Sequence, residues 1–409
     1  MVQDRRAPIV THMAWYKVGA IDEFSGKTGL AHFLEHLMFK GTETIPAGEF
    51  SKTISRNGGR GNAFTSWDFT AYYQQVAADR LELVMTMESD RMNGLIIAKD
   101  EVDAERDVVI EERRTRVENS PNALFREQVR AAQFLAHPYR LPIIGWMHDI
   151  EGLTRDDALG FYKTYYAPNN AVVIVVGDVE PQAVLDLAKA TYGQIEPKDI
   201  PERIISAEPP QKAPRELVMN DARVSQPNWS RSYIAPSYLW GDSEHAMPLQ
   251  VLNDVLGSST TSRLYQALVV DQGIAVDLSS WYWPSGIGPG TMGVGITPVE
   301  GQLDALPAAV DAVLADVMAN GLTEEELNRS KRSLKAAAIY ARDSGEGLAN
   351  LFGRTLIVGR TIEDIEAWPE RVDAVTNEDI IAAARHVFRI EHSVTGILLP
   401  ETAAVEAGE

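Results

Sequence analysis

The same order of predicted elements occurs twice along this chain of 409 residues, on either side of a proline-rich segment. That segment, 195–215, places five prolines among charged residues and has no continuous apolar periodicity. Each half is predicted to hold a strand, two helices, a pair of strands, two long helices and a final strand. We therefore predict an α+β fold with two homologous domains, 1–195 and 216–409, joined by a linker at 196–215. In each domain a mainly antiparallel sheet carries helices packed on one face.

The apolar spacing sets approximate bounds for these elements. In the first half we predict strand 10–18, helices 28–40 and 46–57, strands 61–65 and 70–76, helices 78–95 and 99–118, and strand 171–177. In the second half we predict strand 226–234, helices 243–256 and 262–270, strands 276–283 and 291–297, helices 301–320 and 323–343, and strand 392–398.

Composition excludes several classes of protein. The net charge of −20 disfavours binding to nucleic acid, because such a surface repels phosphate backbones. The absence of cysteine excludes thiol catalysis, disulfides and cysteine metal sites, so any metal must be held by His, Asp or Glu. No apolar run approaches the length of about 18 residues that a membrane-spanning helix needs, and no membrane span is predicted.

One predicted helix carries a group of residues suited to metal chemistry. The sequence GLAHFLEHLMFKGT places His32, Glu35 and His36 at positions i, i+3 and i+4, so all three project from one helix face. Two imidazoles one turn apart can reach the same Zn²⁺, with the carboxylate beside the open position of the metal. A water bound there would be acidified, and Glu35 would accept its proton as general base.

A catalytic zinc site needs a third protein ligand, and the acidic helix around 99–118 supplies candidates. Glu105 and Glu112 lie seven residues apart and share a helix face, whereas Glu111 points elsewhere. Taken alone, this helix is more simply interpreted as a solvated face with salt bridges.

Three segments in order, HFLEHLMFKGT, GNAFTS and ERDVVIEE, resemble the inverzincin metallopeptidases of the pitrilysin, insulin-degrading enzyme and mitochondrial processing peptidase family. The resemblance covers essentially the whole chain. It implies one Zn²⁺ per chain, bound by His32, His36 and Glu112, the last lying 76 residues after His36. It also implies that Glu105 orients a ligand from outside the metal's own shell.

The same resemblance implies how substrate is held. Residues 59–65 match the edge strand to which a peptide adds in extended form, with Asn62, Ala63 and Phe64 as the substrate-binding positions. On its own, this segment would be interpreted as an ordinary hairpin strand.

The chain departs from the family at two positions. Family members usually carry an Arg and a Tyr, seven residues apart after S-R-L-Y, that bind the substrate carbonyl. Here those positions align with Val269 and Val276. The second half also has EHAMPLQVLND where a metal motif would stand. Because the family's full enzyme is a clamshell of four such domains, this chain is expected to be half of one. We expect a heterodimer whose homologous partner carries the Arg/Tyr pair and lacks the zinc motif.

These features together favour a zinc metalloendopeptidase subunit that cuts peptides in a closed chamber. The alternative is a non-catalytic core or assembly subunit of the same fold, and a purely structural zinc site is disfavoured because three protein ligands leave one position open. Residues 1–10 carry no leader, yet a strand follows almost at once, so we expect a leader to be absent from this sequence. The expected location is the bacterial periplasm, with the cytoplasm as the alternative.

Overall fold

The computed structural model describes residues 1–401, which form two compact units. Unit 1 comprises Met1–Arg114, Leu141–Ile205 and Ala338–Glu366. Unit 2 comprises Thr115–Arg140, Ser206–Ala337 and residues 367–401. The units therefore differ from the contiguous spans 1–195 and 216–409 by the exchange of two segments between the halves of the sequence. The domain boundaries themselves stay a prediction.

The elements up to residue 205 are β1 (Val2–Gln3), β2 (Ile9–Tyr16), α1 (Leu30–Leu37), α2 (Glu49–Arg56), β3 (Arg60–Thr65), β4 (Thr70–Ala77), α3 (Leu81–Gly94), α4 (Lys99–Arg113), α5 (Pro121–Gln133), α6 (Met147–Glu151), α7 (Arg155–Tyr165), β5 (Ala171–Gly177) and α8 (Pro181–Ala190). Those that follow are β6 (Arg215–Asp221), β7 (Asn228–Ala235), α9 (Ala246–Gly257), β8 (Ala275–Trp283), β9 (Gly290–Pro298), α10 (Leu306–Asn320), α11 (Glu324–Ala341), α12 (Gly345–Ile357), α13 (Ile362–Glu366), α14 (Trp368–Ala374), α15 (Asn377–Val387) and β10 (Ser393–Pro400).

Each unit contains one five-stranded sheet, and the two sheets have the same topology. The strand order is β1-β5-β2-β4-β3 in unit 1 and β6-β10-β7-β9-β8 in unit 2. All neighbours are antiparallel except β1 with β5 and β6 with β10. The predicted α+β class with two homologous, mainly antiparallel domains is confirmed. The parallel edge strands β1 and β6 are additions that the sequence pattern did not predict.

The sheet of unit 1 has helices on both faces. Along β2, Val10, Ala14 and Tyr16 belong to the apolar core shared with α1 and α3. Trp15 points the other way because successive side chains of a strand alternate between faces. There it meets Gly353 of α12, where a Cβ would collide with the indole ring. The helices α1 and α3 thus pack on one face of the sheet, as predicted. The opposite face is covered by α12, which was not predicted.

The sheet of unit 2 is covered in the same way by α5. Gly396 on β10 lies so close to Val129 and Phe125 of this helix that an added Cβ would force neighbouring side chains to shift. Ser232 on β7 donates a hydrogen bond to Gln133 at the end of α5. Consequently, α12 of the second half belongs to unit 1, and α5 of the first half belongs to unit 2.

Within residues 1–401, no single helix combines the length and the apolar character needed to cross a membrane. Leu303–Asn320 and Glu324–Ala341 are long and apolar enough only when the two are taken together. The chain bends by 101° between them.

Candidate metal centre

The N-terminus of α1 is fixed by the half-buried carboxylate of Glu23. Gly29 precedes the helix with φ of 86°, a left-handed conformation that favours glycine. The backbone N–H groups of Gly29 and Ala31 both donate to Glu23 at 2.9 Å, so two otherwise unpaired donors of the first turn have an acceptor. Burial raises the pKa of Glu23 well above its ordinary value. These two hydrogen bonds therefore fix the backbone where the chain enters α1.

The apolar face of α1 anchors the helix and turns its polar face outward. Phe33, Leu34 and Leu37 are fully buried in the core of unit 1. His32 and Glu35, each 8% exposed, lie on the remaining surface of the helix. The predicted i, i+3, i+4 group therefore shares one face of a helix that cannot rotate without exposing its core side.

The helix α4 brings a carboxylate to the two histidines. Val102 and Val109 bury one side of α4 in the same core. Glu112 then lies with its carboxylate 3.7 Å from His32 Nε2 and 3.2 Å from His36 Nε2. One ligand atom from each of the three residues lies within 4.8 Å of the others. The structure thus brings together the three residues singled out as metal ligands.

This donor set fits a zinc ion. In a tetrahedral site, zinc bonds of about 2.0–2.1 Å hold neighbouring ligand atoms about 3.3–3.4 Å apart. Glu112 Oε2 lies 3.2 Å from His36 Nε2, and Glu112 Oε1 lies 3.7 Å from His32 Nε2, so each imidazole has a carboxylate oxygen at about the separation expected between two ligand atoms of one zinc ion. Two imidazoles and one carboxylate are also a ligand set of catalytic rather than structural zinc sites. His32, His36 and Glu112 could therefore hold Zn²⁺ with one position left for water or substrate.

Glu105 joins His36 to a lysine that sequence reasoning missed. One oxygen of Glu105 lies 2.8 Å from His36 Nδ1, and the other lies 2.5 Å from Lys40 Nζ. Lys40 also contacts Glu101 at 3.1 Å. Glu105 thus contacts a candidate ligand, and its role in orienting that ligand stays a prediction. Lys40 follows α1 within the segment HFLEHLMFK, but nothing in its spacing indicated a contact with α4.

The charges of this group shift several pKa values. For His36, burial opposes protonation, but Glu105 and Glu112 outweigh it and raise the pKa to about 9. The pKa of Glu105 falls to about 2, mainly because His36 donates a hydrogen bond to it and also because of Lys40. The centre is thus electronegative and favours a positive charge beside its carboxylates.

The residue proposed as general base is also held in place. The hydroxyl of Thr65, at the end of β3, donates to Glu35 Oε2 at 2.5 Å. Sequence reasoning missed Thr65, although it stands within the GNAFTS segment. Glu35 and His36 line a cavity of ≈ 580 Å³, together with Gly61 and Asn62 of β3. A peptide in this cavity would therefore meet Glu35 and the edge strand at once.

The three predicted substrate-binding residues lie on β3, but not in equivalent surroundings. Within residues 1–401, β3 is the outermost strand of its sheet and pairs with β4 alone, so its other edge has no strand beside it. Asn62 is exposed and lines the cavity, and Ala63 is half-buried. The ring of Phe64 packs edge-on against Trp15, with Arg354 of α12 stacked on it. Phe64 therefore contacts the fold rather than the cavity.

Three further positions were named in the sequence analysis: Glu111, Val269 and Val276. Glu111 is exposed and pairs with Arg114, so it lies away from the histidines as expected. Val276 lies on β8 and is exposed, and Val269 is half-buried in the helical turn Tyr265–Asp271.

Two family models match the chain. Residues 1–145 match a model described as insulinase, peptidase family M16. Residues 152–334 match a model described as the peptidase M16 inactive domain. The metal-binding candidates all fall within the first match.

Individual proteins show the same relationship. The zinc protease PqqE of Helicobacter pylori is 31% identical over 94% of this chain and 86% of its own length. The crystal structure of a protease from Helicobacter pylori superposes with a TM-score of 0.89 at 30% identity, covering 97% of this chain and 95% of that one. The periplasmic protease PqqL of Escherichia coli has a TM-score of 0.80 at 21% identity, and the match covers 97% of this chain but 46% of PqqL. By these matches, the chain belongs to the insulinase family, peptidase family M16.

Proposed function

We propose that the chain is the metal-binding subunit of a zinc metalloendopeptidase that hydrolyses peptides or unfolded polypeptides inside a closed chamber. The observation that carries this proposal is the convergence of His32, His36 and Glu112 beside a cavity lined by Glu35. Relatives that are named zinc proteases support it.

The residues of this chain would divide the chemistry between them. A zinc ion held by His32, His36 and Glu112 would polarise the scissile carbonyl and lower the pKa of a water towards neutrality. Glu35 would take the proton of the attacking water and pass it to the leaving amine. Thr65 keeps the carboxylate of Glu35 in one orientation through its hydrogen bond. Glu105 would hold the imidazole of His36 through Nδ1, which leaves Nε2 for the metal.

Substrate would bind as an added strand. The free edge of β3 offers backbone N–H and C=O groups to an extended peptide, which gives affinity without a strict sequence requirement. The peptide would pass the cavity at Asn62, and Ala63 and Phe64 would support the strand where they pack against the fold.

Three variants and one control test the metal site and the base. Glu112→Ala should lose most zinc by metal analysis, whereas Glu111→Ala, one residue away and exposed, should keep it. Glu35→Gln should keep zinc and fold but lose cleavage of an unstructured peptide, because an amide cannot accept the proton. Retention of the full wild-type amount of zinc in both Glu112→Ala and His32→Ala would overturn the metal assignment. Loss of zinc in Glu35→Gln would make Glu35 a ligand instead.

Full activity is proposed to need a homologous subunit. Val269 and Val276 cannot donate side-chain hydrogen bonds to a substrate carbonyl, and such donors commonly contribute about 10²-fold or more in rate. The match covers only 46% of PqqL, so one PqqL chain is long enough for two halves of this kind. We expect weak cleavage by this chain alone and a large gain with a partner carrying Arg and Tyr at those positions. A rate that the partner leaves unchanged would overturn the heterodimer.

A second candidate is a non-catalytic assembly subunit, favoured by the match of 152–334 to the M16 inactive domain. It predicts no cleavage by any combination of subunits, although zinc would still bind. The periplasm remains the proposed location, supported by the description of PqqL as periplasmic. Cell fractionation distinguishes it from the cytoplasm.

A further inference from the structure

A second group of metal-ligating side chains lies in unit 2, apart from every residue considered so far. Asp242 and His245 lie in the turn before α9, and His386 lies in the last turn of α15. The two helices share the apolar core of unit 2, to which Leu249 of α9 and Ala383 of α15 contribute. The backbone positions of the three side chains are therefore fixed by packing beneath them.

The spacing of this group resembles that of the first. The rings of His245 and His386 are 4.9 Å apart between centroids, and those of His32 and His36 are 4.8 Å apart. Asp242 Oδ2 lies 3.6 Å from His386 Nδ1. One ligand atom from each of the three residues lies within 4.8 Å of the others, as in the first group. Residues 1–401 thus contain two sets of two imidazoles and one carboxylate at ligand spacing.

The ligand types select the metal. Imidazole nitrogens suit Zn²⁺, Cu²⁺ and Ni²⁺, whereas Ca²⁺ and Mg²⁺ prefer sets made of oxygen. The side chains of Asp242 and His386 are 62% and 41% exposed, so water can complete the coordination. The same exposure would make metal binding weaker here than at the more buried first group.

We propose that Asp242, His245 and His386 form a second binding site for a divalent transition metal ion, with zinc as the physiological candidate. The metal would join the turn before α9 to the end of α15. Because it would bind the folded chain in preference to the unfolded chain, it would stabilise the fold increasingly as its concentration rises. This proposal goes beyond the peptidase function and does not depend on it.

The test compares zinc binding by the wild-type chain with two variants and a control. Isothermal titration with zinc, in excess over the first site, should show one equivalent more in the wild type than in His245→Gln or His386→Gln. His148→Gln is the control, since its exposed side chain belongs to neither group. The measured quantity is a difference between chains, so it stands whether or not the His32 group binds zinc.

Thermal unfolding gives a second measurement. Added zinc should raise the Tm of wild type and of His148→Gln more than that of the two cluster variants. Equal stoichiometry in all four proteins, or an extra equivalent that persists in both cluster variants, would overturn the proposal. A drop of the same size in His148→Gln would do so too, because it would indicate diffuse binding by surface histidines.

Discussion

Replacing Glu105 tests whether the residues behind the ligands set the metal affinity. Glu105→Ala removes the acceptor at His36 Nδ1 and one of the two carboxylates that contact Lys40. Without this acceptor, the His36 ring can turn and its tautomer is no longer fixed. The expected result is weaker zinc binding by a chain that still folds.

The magnitude follows from the hydrogen bond between Glu105 and His36, which this substitution removes. A hydrogen bond to a charged group contributes about 1.5–3 kcal/mol, which corresponds to about 10- to 150-fold in a binding constant. Removing a residue that orients a metal ligand typically costs about 10–100-fold in metal affinity. We therefore expect a drop of about 10–100-fold for Glu105→Ala. Glu105→Gln should lie in between, since its carbonyl can still accept from His36.

The assay is competition for zinc with a chromophoric chelator, and Glu101→Ala is the matched control. Glu101 lies on the same helix and also contacts Lys40, at 3.1 Å, and the variant removes the same charge. It should bind zinc within about twofold of wild type, because surface charges interact weakly. Circular dichroism and Tm establish that each variant is folded.

Two outcomes would refute this reasoning. Unchanged affinity in a folded Glu105→Ala would show that the contact with His36 does not position the ligand. An equal drop in Glu101→Ala would show that the net charge around Lys40, rather than the hydrogen bond, controls the affinity.

Three other predictions concern the strand, the packing and the pH dependence. Thr65→Val should lower the cleavage rate about 10-fold with zinc content unchanged, because Glu35 loses its hydrogen bond; unchanged kinetics would contradict it. Gly353→Leu should lower the Tm by several degrees, because Trp15 occupies the space; an unchanged Tm would mean that α12 packs elsewhere. Burial lowers the pKa of His137 from 6.5 to about 4, so the unfolded state takes up the proton first. The unfolding free energy should therefore fall as the pH is lowered from 6.5 to about 4, less steeply in His137→Gln, and equal slopes would refute this.

Much of the fold could be predicted because its signals are local. The strand 171–177 and the helix beginning at Lys99 begin where predicted, since apolar spacing and short turns mark them. The helices α5 and α12 were not predicted. Periodicity also reports that a helix has an apolar face, not which sheet that face will cover. The exchange of these two helices therefore has no counterpart in the sequence pattern.

The candidate site could likewise be predicted only in part. His32, Glu35 and His36 lie within about one helical turn, so their shared face follows from helix geometry alone. The approach of Glu112 depends on how α4 packs on α1, which only the family resemblance supplied. Lys40 and Thr65 were missed because each acts through a partner distant in sequence, Glu105 and Glu35 respectively.

The exchange of α5 and α12 also determines when each unit can finish folding on the ribosome. All five strands of the first sheet have been synthesised once Gly177 is added, but α12 begins only at Gly345. Until then, the chain lacks the helix whose Gly353 packs against Trp15, and apolar surface left uncovered in this way promotes aggregation. A chain cut within 196–215 would leave each fragment without the helix that closes its sheet. Both halves of the sequence are therefore needed before unit 1 has all of its elements, even though the architecture is a duplication.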